Sequence, residues 1–158
     1  MTRFFAALCS AFLLLLTGCG YPKHIDPPTL TYPSQQMAEE SAYLHARDLP
    51  NGPGLTLLII PPTHSMAPTI DVGDIIVVDT HAPYSERVPG EIVTYFGVDG
   101  EWKDRPKDSP PITHRISSKH SDGFIMTGDN NRYSESRSRV TETNYVGLVV
   151  GIYRVSTK

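Results

Sequence analysis

The sequence predicts a mainly β fold, an antiparallel barrel or sandwich with a short N-terminal helix. Three observations carry this. Beyond residue 54, runs rich in Val, Ile, Thr and Tyr recur at short intervals. Gly, Pro or Asp bounds nearly all of them. The one stretch with helical character precedes them all, so the alternation of strand and helix that builds a parallel sheet is missing.

Composition agrees with one ordinary globular domain. The chain has 158 residues, 39% hydrophobic and 20% charged, which excludes collagen-like, disulfide-dense and strongly disordered classes. A formal charge of −3 leaves no basic footprint for nucleic acid. The two cysteines, Cys9 and Cys19, both lie in the first 20 residues. The body of the chain therefore has neither an internal disulfide nor a cysteine-based zinc site, and no His, Asp and Glu spacing suggests another metal.

The elements follow in order. Residues 1–18 read as a secretory leader: Arg3 precedes an apolar run from Phe4 to Leu16, which is shorter than the roughly 20 residues a spanning helix needs. Residues 19–33 carry Pro22, Pro27, Pro28 and Pro33 and read as a Pro-rich tether. Residues 34–54 hold a short amphipathic helix, starting at Ser34, with Met37 and Leu44 on one face, and then a Gly/Pro turn. Residues 55–158 form the β domain, with strands expected at 55–60, 75–79, 91–96, 112–117, 123–127 and 145–153. The polar, Pro-containing stretch 99–111 is a surface loop.

Three segments concentrate the residue types of nucleophilic catalysis. The first is Pro61-Pro62-Thr63-His64-Ser65-Met66-Ala67-Pro68-Thr69-Ile70, followed by Gly73-Asp74. The second is Thr113-His114-Arg115, and the third is Gly128-Asp129-Asn130 with Ser134-Glu135-Ser136-Arg137. A serine hydroxyl attacks a carbonyl only when a base takes its proton, and imidazole is a competent base near neutral pH.

Together these segments resemble the signal peptidase I family of serine peptidases. The resemblance spans about 100 residues, 57–153, and implies a signal-peptidase-like β fold. It implies Ser65 as nucleophile and His114 as general base, where the commoner bacterial members carry lysine. In using histidine the sequence is similar to the endoplasmic-reticulum and archaeal branch. Glu135 falls at the family's acidic position with Ser134 as the supporting serine, one residue being deleted, and Asp129 is the alternative third residue. Thr63 and the Ser65 amide stand where the oxyanion is received. His64 departs from the family's usual glycine. No cofactor is implied, and the implied substrate is a peptide or protein with a leader-like segment, cut after small residues.

Leu16-Thr17-Gly18-Cys19 resembles a bacterial lipobox. That resemblance implies lipidation at Cys19, an extracytoplasmic, membrane-anchored lipoprotein, and an outer-membrane address in a diderm because Gly20 is not Asp. Two other functions remain open: a processing peptidase specialised for a secretion, conjugation or pilus system, and an inactive lipoprotein binding module on the same fold.

Overall fold

The computed structural model describes residues 23–48, 54–97, 110–134 and 139–156. Seven strands form one sheet with one α-helix against it. The strands are β1 (Thr29–Tyr32), β2 (Leu55–Ile59), β3 (Ile75–Asp79), β4 (Ile92–Tyr95), β5 (Ile112–His120), β6 (Gly123–Thr127) and β7 (Tyr145–Val155), and the helix is α1 (Gln35–Asp48). The sheet runs β2-β3-β7-β4-β5-β6, with β1 added to β7. The mainly β expectation holds, whereas barrel closure does not: β2 and β6 end the path and do not pair with each other. All pairs are antiparallel except β1 with β7, which is parallel.

Long strand β7 organises the sheet. Leu148 to Tyr153 pair with β3, Tyr145 to Leu148 pair with β4, and Ile152 to Val155 take up β1. Apolar side chains form three clusters, around Ile76, Val78 and Ile152, around Tyr95, Phe124 and Met126, and around Ala38, Val77 and Tyr153.

Residues 23–33 differ from the tether expectation. The Ile25 N–H donates to Gly90 O, the Ile152 N–H donates to Pro28 O, and residues 29–32 are a strand of the sheet. Gly90, at φ 100°, has no room for a Cβ because Lys23 O lies against it. The arm is thus part of the β body.

Helix α1 begins as its sequence predicts, with Ser34 Oγ accepting the Met37 N–H at 3.3 Å. Its buried face is Ala38 and Ala42, both fully buried, while Met37 and Leu44 are 47% and 45% exposed. The expected apolar face is therefore turned outward. Small side chains let the helix lie close to Ile75, Val77 and Tyr153 of the sheet.

The emphasis on a membrane-attached lipoprotein is also corrected: among the described residues no helix is long and apolar enough to cross a membrane. The leader, Cys19 and most of the 99–111 loop lie outside the described residues.

Candidate active site

Ser65 lies in the loop 60–74 that joins β2 to β3. Two anchors hold this loop from inside, Met66 and Ile70, which are 4% and 1% exposed. Its ends are closed by the Ile60 N–H on Asp74 O and the Gly73 N–H on Ile60 O. Below it, Arg154 donates to the carbonyls of Pro68 and Thr69 and to the Asp74 carboxylate. Glycine at position 73 has a direct reason, since its φ is 80°.

His114 sits on β5, opposite Val93 of β4, and is 6% exposed. Its Nε2 lies 3.0 Å from Ser65 Oγ, a hydrogen bond between residues 49 apart in the chain. On the other side of the ring, Nδ1 lies 3.3 Å from the phenol oxygen of Tyr95. Thr63 Oγ1 is 3.4 Å from Ser65 Oγ. The Ser65 N–H has no acceptor among the described residues.

The Gly128-Asp129-Asn130 segment supports the Ser65 backbone from behind. A Cβ on Gly128 would run into Ser65 O. The Asn130 N–H donates to Ser65 O at 2.9 Å, and its side-chain amide donates to His64 O at 3.1 Å. Asp129 is not brought to His114. Its oxygens accept from Arg115 Nε at 2.8 Å, Arg115 Nη2 at 2.6 Å and the Thr69 hydroxyl at 2.6 Å. Burial raises the Asp129 carboxyl, but the hydrogen bonds from Arg115 and Thr69 outweigh it and hold it below the usual carboxylate range. Asp129 thus joins the Ser65 loop to β5 through Thr69 and Arg115. Glu135 lies outside the described residues, and Ser134 is exposed.

His64 occupies the left-handed region at φ 54°, where glycine is usual. Its Nδ1 pairs with Asp71 Oδ1 at 3.1 Å, and its ring borders the cleft rather than the Ser65–His114 bond. That cleft, of about 480 Å³, opens over Ser65 and His114. Leu58, Ile60, Met66, Pro111 and Ile112 make its apolar wall. β2 supplies one side of it and is the terminal strand of the sheet, with its outer edge paired to no described strand.

Neither a protein-family model, nor a curated protein, nor a solved structure matches this chain.

The site holds one residue that the sequence did not reveal. Tyr95 belongs to no motif and reads only as a strand aromatic. Strand register could have found it: Val93 opposes His114 and Tyr95 opposes Ile112, so Tyr95 and His114 are diagonal neighbours on one face.

Proposed function

We propose that this chain is a serine endopeptidase of the signal peptidase I type. The observation that carries the reading is the 3.0 Å contact between His114 Nε2 and Ser65 Oγ at the floor of an apolar cleft. In the mechanism, Ser65 Oγ attacks a peptide carbonyl while Nε2 takes its proton. The oxyanion is received by the Ser65 N–H with help from the Thr63 hydroxyl. His114 then returns the proton to the leaving amine, and water hydrolyses the acyl-enzyme by the same path in reverse. The apolar wall suits an extended segment with apolar side chains, and the free edge of β2 offers it main-chain hydrogen bonds. Leader-like peptides cut after small residues remain the substrate class that the sequence resemblance supplies.

The test uses a leader-type peptide and a serine-directed activity probe. Ser65→Ala should lower turnover by at least about three orders of magnitude and abolish labelling, with the melting temperature unchanged. Equal turnover by the variant, or no labelling of Ser65 in the native protein, would overturn the reading and favour a binding module.

A further inference from the structure

We propose that His64, which lines the cleft, is a specificity-determining residue. Its Nε2 accepts a hydrogen bond from a donor side chain, a lysine or arginine best, that the substrate carries within two residues of the scissile bond. That the occupant of the cleft is a peptide substrate rests on the peptidase reading above.

Asp71 decides which ring nitrogen does what. The Val72 N–H first, and the His64 ring second, hold its carboxyl below the usual carboxylate range, so it is ionised at neutral pH. A carboxylate only accepts. Nδ1, 3.1 Å from Asp71 Oδ1, therefore carries the proton of the neutral ring, and the lone pair is on Nε2. No described residue hydrogen-bonds to Nε2. His64 lines the cleft and Asp71 does not, so the ring edge left to border the cleft is the one that carries Nε2.

Stability does not account for a side chain at this position. Among the described residues His64 is the one non-glycine at positive φ, where glycine fits without strain. Its pair with Asp71 is 62% and 49% exposed, a setting in which ion pairs add little. A strained residue next in the chain to Ser65, with its ring in the cleft, points to function there. The rest of the lining says which function. Leu58, Ile60, Met66 and Ile112 give an apolar wall, while Thr63, His64 and Asn131 give polar groups. Thr63 Oγ1 faces Ser65 Oγ. The Asn131 amide has both donor and acceptor and does not choose between side chains. Of the three, the His64 nitrogen alone selects: an acceptor backed by a carboxylate favours donors, cations most, and disfavours aspartate and glutamate.

The experiment is steady-state kinetics of the full chain at about pH 8.5, above the ordinary histidine value. The substrates are leader-type peptides carrying Lys, Met or Glu at each of the two residues on either side of the cut. Met has a stem of similar length to Lys but no donor. At one of these positions kcat/KM should be about three- to tenfold higher for Lys than for Met, with Glu below both. His64→Gly, which suits φ 54°, should bring the Lys-to-Met ratio to within about twofold of one. Asp71→Asn lets the ring take either tautomer and should lower the ratio part of the way. A native ratio within about twofold of one at every position would overturn the proposal, and so would a ratio that survives either variant. Dissociation constants of the same peptides for Ser65→Ala, from fluorescence anisotropy, keep the two hypotheses apart. If Ser65 is never labelled and no peptide is cut, the peptidase reading falls. A Lys preference in binding then still supports His64, and its absence, or no binding, overturns that role. If peptides are cut without a Lys preference, only the His64 role falls.

Discussion

His114 and Arg115 follow one another along β5, and strand alternation sends them to opposite faces of the sheet. On the first face the contacts among the described residues include two neutral hydroxyls, Ser65 and Tyr95, at 3.0 and 3.3 Å. On the second, a guanidinium only 2% exposed meets two carboxylates, Asp129 and Asp26, and the Gly90 carbonyl. Neutral hydrogen bonds let a proton move at little cost. Charge pairs in a buried setting do not rearrange easily and lock what they join. Here they join β5 to the loop after β6, to the Ser65 loop through Thr69, and to the N-terminal arm through Asp26. The charged side ties down the backbone segments that set the Ser65–His114 distance on the other face.

The largest effect expected from breaking this contrast is on the charged face. Arg115→Met keeps roughly the length of the side chain but leaves Asp129, 4% exposed, as an unpaired buried carboxylate. The cost in stability should be about 3–5 kcal/mol, read as a shift of the denaturant midpoint. Adding Asp129→Asn to that variant should restore part of the loss by removing the stranded charge. A fall below about 1 kcal/mol for the single variant would mean that water or another group reaches Asp129, and the locking role would be wrong. If the proposed peptidase reading holds, Ser65→Ala gives the contrast on the other face, with turnover lost and the fold retained.

A smaller effect should appear in acid. Asp129 is held below the ordinary carboxylate value of about 3.9, so the folded state binds its proton less readily than the unfolded chain. The resulting stabilisation is complete above the unfolded value and is lost as pH falls from about 4 through the lower folded value. Acid titration of stability should be steeper in the native protein than in Asp129→Asn over that window. Parallel curves would show that Asp129 gives no linkage.

How much of this was legible in the sequence differs by element. Strands β3 and β6 have the bounds expected, 75–79 and 123–127, because dense β-branched or aromatic runs there end at Asp, Gly or Thr. Strand β1 was hidden. Thr29 to Tyr32 alternate Thr with Leu or Tyr, but four residues between Pro28 and Pro33 are too short a run to stand out, and they pair with the far end of β7. The helix face was misread for a related reason: hydrophobicity singles out Met37 and Leu44, but close packing on a sheet selects Ala38 and Ala42. At the site, Ser65 and His114 were visible through their flanking motifs. Tyr95 was not, since it depends on the register of β4 against β5, which no local signal carries. The pairing of Asp129 with Arg115 was not visible, because it depends on Arg115, next to His114 in sequence, facing the other way.

The smallest expected effect returns to the cleft side. His64 holds φ 54° beside Ser65, a conformation costing an L-residue roughly 1 kcal/mol relative to glycine. The constraint comes from its backbone, whose carbonyl accepts from Asn130 Nδ2 and from the Ala67 N–H, and both bonds survive replacement of the side chain. What the side chain adds is the contact with Asp71, which is well exposed on both partners. Asp71 does not need it to stay ionised: the Val72 N–H is the larger cause holding its carboxyl low, with His64 second. His64→Gly should therefore leave stability unchanged or raise it by up to about 1 kcal/mol, while His64→Ala keeps the strained backbone, loses the contact and should be the less stable of the two. Thermal denaturation of both variants checks the order. If Ala proves as stable as Gly, the backbone at position 64 is relaxed, and the histidine there would be held by its side-chain contact instead.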